Sequence, residues 1–247
     1  MLSFFTYVFV QNEKSKQLVK AIGIDNCSVS GDTRFDRVIE IAESFQPIPP
    51  IEQFIGNAKT IVAGSTWKED EEALKKSFEL INDPNLKLII APHEIDITRI
   101  NDLEKLFPRS QKFSQLTGDQ PPATSKILII DNIGMLSRLY KYGHITYVGG
   151  GFTKDGVHNV LEAAVYGKPV VFGPNYKKYR EAVELIEVKG GESFSSAGEL
   201  QYIFSSLLTR QEEWLRKSAA ARNYVLRNKG ATDRILQFIQ EKRLLTN

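Results

Sequence analysis

The chain has 247 residues, 42% hydrophobic and 25% charged, a composition that supports a packed globular core and excludes a disordered or fibrous protein. Thirty-two basic against thirty acidic residues leave a net charge of +2, too balanced for the phosphate-tracking stripe of a nucleic-acid binder. A single cysteine, Cys27, excludes an internal disulfide or a multi-cysteine metal site and reads as a small buried hydrophobe.

The opening MLSFFTYVFVQ is short, aromatic and without a basic leader, so residues 5–10 read as a strand. No stretch approaches the roughly 18 consecutive apolar residues needed to span a bilayer. A helix follows in NEKSKQLVKAIG, then a second strand at 27–31. The Pro-rich QPIPPIEQFI, residues 46–55, reads as a linker or domain edge. It divides the chain into residues 1–45, too short to bury a core alone, and a main unit over 46–247.

From there β-branched runs alternate with helical periodicity, the pattern of right-handed βαβ units and a mainly parallel sheet. Strands are expected at 60–65, 87–92, 126–131, 145–150 and 169–174. A helix starts near Lys68, with acids in its first turn and lysines beyond, matching the helix dipole; the charge run Lys68 to Glu72 reads as a solvated face. Residues 197–245 carry apolar positions at helical spacing and read as two or three helices. The expected fold is α/β, a Rossmann-like parallel sheet with helices on both faces.

In such sheets ligands bind beyond the carboxyl ends of the strands. The residues there are Gly64-Ser65-Thr66, His93-Glu94, Asp131-Asn132 with Gly134, and Gly149-Gly150-Gly151. After the glycine run a helix is expected to begin near His158, offering N–H groups and a positive dipole end to a nucleotide phosphate. On that helix His158, Asn159 and Glu162 share one face at i,i+4 and i,i+3. Glu162 then suits the hydroxyls of a ribose or sugar, but Asn159 with Glu162 equally reads as a capping pair. Ser65 or Thr66 reads either as an N-cap or as a donor contact.

Other chemistries fit less well. Lys154 stands where a dinucleotide fingerprint needs its third glycine, and no GxxxxGK[ST] phosphate loop occurs. His93, His144 and His158 show no metal-ligand spacing, so no metal is expected.

Seven motifs in fixed order carry a family resemblance: Gly31-Asp32-Thr33-Arg34-Phe35-Asp36, Gly64-Ser65-Thr66, Ala91-Pro92-His93-Glu94, Asp131 to Leu136, Val148 to Gly151, Gly156 to Glu162 and Gly173-Pro174. Together they resemble the second half of the 3-deoxy-D-manno-octulosonic acid (Kdo) transferases of lipopolysaccharide synthesis, which have the GT-B fold. The sharpest is His158-Asn159-Val160-Leu161-Glu162 after the glycine loop. The chain departs from the family pattern at Met135, where the family has an acid, at Val157 for a glycine, at Gly151 for a serine, and in lacking the arginine of the A-P-R-H loop.

The resemblance implies transfer of Kdo from CMP-Kdo to a lipid A precursor, without metal or other cofactor, at the cytoplasmic face of the bacterial inner membrane. It implies that this chain binds the donor nucleotide through Arg34, Gly64, Ser65, Thr66, His93, Gly134, Met135, Gly149, Gly150, Gly151, His158, Asn159 and Glu162. Arg34 is expected to meet the Kdo carboxylate, and Met135 to act through its backbone N–H. The family's general base is a glutamate of the N-terminal domain, which also faces the acceptor and the membrane. The chain is therefore expected to be a donor-binding portion, residues 1–45 resembling the end of that first domain, able to bind nucleotide but not to catalyse alone. Another GT-B enzyme, such as a different glycosyltransferase or a sugar-nucleotide epimerase, and a non-catalytic nucleotide-binding module are the alternatives.

Overall fold

A computed structural model describes residues 4–81, 83–116 and 125–242. Met1 and residues 243–245 of the expected C-terminal helical stretch lie outside them. The chain begins with a small βαβ unit: β1 (Val8–Val10), α1 (Glu13–Ala21) and β2 (Cys27–Val29), the strands pairing in parallel with Val8 opposite Cys27. Asn12 starts α1 by accepting the N–H of Ser15 at 2.8 Å. Cys27 is buried, as its composition argument predicts.

Next come α2 (Thr33–Glu43) and α3 (Pro49–Ile55). The latter puts a helix over 49–55, within the stretch read as a linker or domain edge. Proline at the first helical positions has no N–H to waste and a φ already suited to the helix, so a Pro-rich start is compatible with one. Ile51 and Phe54 then bury completely in the main core.

The body is one seven-stranded sheet: β3 (Lys59–Thr66), β4 (Leu86–Pro92), β5 (Ser110–Lys112), β6 (Ile127–Ile129), β7 (Ile145–Val148), β8 (Val170–Phe172) and β9 (Gly191–Ser193). Its order is β5-β6-β4-β3-β7-β8-β9, every pair parallel. The sequence reading misses β5 and β9. Each is three residues, SQK and GES, and lies at a sheet edge, where one side is unpaired and apolar content is not required.

Side chains alternate across the sheet. Val62, Ile89, Leu128 and Val148 face one core, and Ile61, Ala63, Leu88, Ile90, Ile129 and Tyr147 face the other. Over the first core lie α2, α3, α6 (Leu136–Leu139), α7 (Leu161–Ala164), α8 (Arg180–Glu187) and α10 (Gln211–Arg227). Over the second lie α4 (Lys68–Ile81), α5 (Ile97–Leu106) and α9 (Ala197–Thr209). The C-terminal stretch is thus three helices, the last being α11 (Ala231–Glu241). Each fully buried Leu or Ile in these layers contributes on the order of 1.5–3 kcal/mol.

Two long-range ties join the opening unit to the end of the chain. Asp36 accepts the N–H groups of Gly230 at 2.5 Å and Thr232 at 2.7 Å, satisfying the first turn of α11. Phe238 on α11 packs on Tyr7 and Phe9, with ring centroids 4.2 and 5.2 Å away.

From β3 the chain moves to β4 on one side, and later returns to place β7 on the other. The strand order therefore reverses between β3 and β7, and the crevice beyond their carboxyl ends is the expected ligand position.

Candidate donor site at the strand switch

Gly64 pairs with Val148 across β3 and β7, and the N–H of Gly149 continues the ladder by donating to the Gly64 carbonyl at 2.8 Å. The glycines here are demanded by close approach. A Cβ on Gly149 would lie 2.2 Å from the Ser65 carbonyl oxygen, and one on Gly64 2.2 Å from the Tyr140 hydroxyl. A Cβ on Gly151 would stand 2.6 Å from the backbone of Gly173, which ties the third motif glycine to the Gly173-Pro174 loop. Ser65 itself sits at φ +54°, a left-handed conformation uncommon for a residue with a side chain and concentrated at functional sites.

The loop is held from beneath by a buried acid. Asp70 is 0% exposed and accepts three hydrogen bonds: from the Tyr147 hydroxyl at 2.6 Å and from the N–H groups of Trp67 and Gly150, each at 2.9 Å. Beside it Glu71, also 0% exposed, accepts the Thr66 hydroxyl at 2.8 Å and pairs with Arg99. Burial pushes both carboxyls above their ordinary range, against these hydrogen bonds. Within the charge run expected to be a solvated face, Lys68, Glu69 and Glu72 are exposed, while Asp70 and Glu71 turn inward and correct that expectation. Asp70 falls four and seven residues before Leu74 and Ser77, both buried on α4, so helical spacing carried the signal.

Above the loop three rings meet. His93 stacks on Trp67 with centroids 4.8 Å apart and on His158 at 4.4 Å. The Trp67 indole N–H donates to Nε2 of His158 at 3.1 Å. Trp67 was not among the expected site residues, although it follows Gly64-Ser65-Thr66 directly. Burial, and then His93, holds His158 below the usual histidine range.

The helix expected near His158 begins only at Leu161 and is four residues long. His158 and Asn159 lie in the loop before it, so the shared helical face is corrected to a loop followed by a short helix. Asn159 still acts as a cap, accepting the Leu161 N–H at 3.2 Å while its amide donates to Glu162 at 3.1 Å. Burial raises the Glu162 carboxyl. Burial, and then the Glu162 charge, pushes the Tyr140 hydroxyl well up, and burial likewise pushes Tyr166 up to about 12. The Tyr166 hydroxyl is buried with no hydrogen-bond partner among the described residues.

The backbone N–H groups expected to hold a phosphate are already used. The N–H of Gly149 is used by Gly64, that of Gly150 by Asp70 and that of His158 by the Gly149 carbonyl at 3.0 Å. These amides shape the loop and are not free for an anion.

At the β3 and β7 ends Gly64 and Ser65 meet Gly149, Gly151 meets Gly173, His158 packs on Gly150 and stacks on His93, and Asn159 bonds Glu162 just beyond. Thr66 is fully buried with its hydroxyl committed to Glu71. Gly134 has φ +94°, and Met135 is buried and precedes α6, whose Leu136 reaches Gly64. Arg34 sits on a separate cavity of about 120 Å³ with Arg180, Arg227 and Lys229. Its guanidinium is taken by Asp32 at 2.7 Å and Glu181 at 2.6 Å, which raise its pKa.

No family model matches. A 3-deoxy-D-manno-octulosonic acid transferase of Haemophilus influenzae is 30% identical over 72% of this chain and 43% of its own length. One from Rickettsia felis is 25% identical over 97% of this chain and 52% of its own. The chain thus spans about half the length of these transferases. Among solved structures, the C-terminal CMP-Kdo binding domain of WaaA from Acinetobacter baumannii superposes with a TM-score of 0.63 at 21% identity, covering 76% of this chain and 98% of that domain. The fold is accordingly that of the C-terminal half of a GT-B protein. By sequence and by fold, the chain is a relative of the C-terminal portion of the 3-deoxy-D-manno-octulosonic acid transferases.

Proposed function

We propose that the chain holds the nucleotide of a CMP-linked acidic sugar, CMP-Kdo, as the donor-binding part of a Kdo transferase. The observation that carries this reading is the crevice at the β3 and β7 ends. There Gly64 and Gly149 approach their neighbours too closely for any Cβ, His158 packs on Gly150, and Asn159 bonds Glu162, which puts the motif residues together at the strand ends.

In this reading Glu162 accepts hydroxyls of the ribose or sugar, while the Ser65 hydroxyl, His158 and Asn159 face the phosphate. Charge developing on CMP as it leaves the anomeric carbon would be stabilised by those donors. No metal is required, and the general base, the lipid A precursor and the contact with the cytoplasmic face of the inner membrane belong to the N-terminal domain. The chain by itself would bind donor without turning it over. Arg34 is left to serve the sugar carboxylate only if its pairs with Asp32 and Glu181 open.

Calorimetric titration with CMP, UDP and GDP tests this. CMP binding more tightly than the other two supports the reading; UDP binding most tightly would favour a sugar-nucleotide epimerase or another glycosyltransferase.

A further inference from the structure

An indole N–H can only donate, so the 3.1 Å contact from Trp67 requires a lone pair on Nε2 of His158. A neutral imidazole with its lone pair on Nε2 carries its proton on Nδ1. An imidazolium, or the opposite tautomer, would set two N–H groups against each other. The ring is fixed in that orientation from several sides. A Cβ on Gly150 would lie 2.7 Å from Cδ2 and 3.1 Å from Nε2, so the edge bearing Nε2 is the packed one. His93 covers a ring face, and the main-chain N–H of His158 is tied to the Gly149 carbonyl. Trp67 is fixed in turn by its own N–H on Asp70 and by its stack on His93.

Nδ1 occupies the opposite edge of the imidazole. Among the described residues it has no hydrogen-bond partner, and it is not among their buried unpartnered atoms. It is therefore not sealed from solvent, and its proton is left for an outside acceptor.

We propose that Trp67 is a positioning residue: its indole N–H locks His158 as the neutral, Nδ1-protonated tautomer, leaving the Nδ1–H as a directed donor to a phosphate oxygen of the bound nucleotide. The phosphate half of this statement rests on the nucleotide reading above; the tautomer half stands on geometry alone. The charged and titratable neighbours of His158 are His93, which disfavours a second positive charge, and Asp155, which opposes that effect.

The test uses the 247-residue chain labelled with ¹⁵N at histidine and two-bond ¹⁵N–¹H correlation at pH 7. The expected wild-type pattern shows His158 with a protonated Nδ1 and a lone-pair Nε2. In Trp67→Phe, which keeps an aromatic ring over His93 but loses the donor, His158 should move to a mixture of tautomers. CMP affinity should fall about two- to tenfold, the worth of one hydrogen bond. A protonated Nε2 in the wild type would overturn the assignment, and so would an unchanged His158 pattern in Trp67→Phe. The wild-type spectrum decides the tautomer even if the variant folds poorly. Should wild type show the expected tautomer yet fail to bind CMP, the phosphate role and the nucleotide reading are refuted while the locking role of Trp67 is upheld. Should CMP bind normally while the tautomer is wrong, only the positioning claim falls.

Discussion

The carboxylate of Asp70, in the first turn of α4, accepts the N–H of Gly150 at 2.9 Å and so fastens the glycine loop after β7 to the helix after β3. Both elements flank the strand switch, and the same carboxylate oxygen takes the N–H of Trp67. One buried acid thereby sets the spacing of the two walls between which a nucleotide is proposed to lie.

Removing that acid should be costly. Asp70→Ala leaves the Tyr147 hydroxyl and two N–H groups without their acceptor, and each buried orphan costs about 1–3 kcal/mol. A total loss of roughly 3–5 kcal/mol in denaturant unfolding is expected. Asp70→Asn keeps an oxygen for the two N–H groups and turns its amide to the Tyr147 oxygen, so it should lose only about 1 kcal/mol.

The motif glycines should divide by contact rather than by sequence. Gly149→Ala drives a methyl into the Ser65 carbonyl, a backbone atom that cannot swing away, and should lower stability by about 1–3 kcal/mol. Gly198 in the first turn of α9 has nothing within 4 Å, so Gly198→Ala should raise stability by about 0.4–1 kcal/mol. Thermal melting of the pair checks both signs.

His144 gives a pH signature away from the crevice. Burial, with Lys59 and Lys168 nearby, lowers its pKa from 6.5 to about 4, while its Nε2 lies 3.3 Å from the Leu207 carbonyl and its ring stacks on Trp214. Between those two values the unfolded chain holds the proton and the folded chain does not. Stability from this group therefore rises with pH across the window and is lost as pH falls from 6.5 toward 4. His144→Phe should show a shallower fall in melting temperature over the same window, measured as the difference from wild type. An identical slope would mean that His144 is not kept neutral by the fold.

Glu162 should matter for ligand more than for fold. Glu162→Ala is expected to weaken CMP binding roughly tenfold to a hundredfold, the range for a hydrogen bond to a charged group. The melting temperature should change little, because Asn159 keeps its own cap to Leu161. Unchanged affinity in titration calorimetry would remove Glu162 from the site.

The layered parallel fold was legible because its central strands are β-branched and its helices strongly periodic. Edge strands β5 and β9 were not, since three polar residues at a sheet edge carry no pattern of their own. The motif glycines fall at the strand ends where the sequence places them, but how their loop is held was not legible. Asp70 and Glu71 hide within a run of charges that looks solvated, and only their phase relative to Leu74 and Ser77 places them inward. The helix start at His158 was placed too early, because Asn159 reads either as a residue inside the helix or as part of a capping pair, and in the fold it precedes the helix and accepts the Leu161 N–H. The motif Arg34 is a further case: its neighbours Asp32 and Glu181 come together only in the fold, the second lying on α8.

A crystal of the chain soaked with CMP tests the central claim most directly. The account predicts the phosphate between the β3 and β7 ends, within hydrogen-bond reach of Ser65, Nδ1 of His158 or Asn159, and the ribose against Glu162. Nucleotide found instead in the cavity beside Arg34 and Arg227, or elsewhere on the surface with the crevice unchanged, would contradict it.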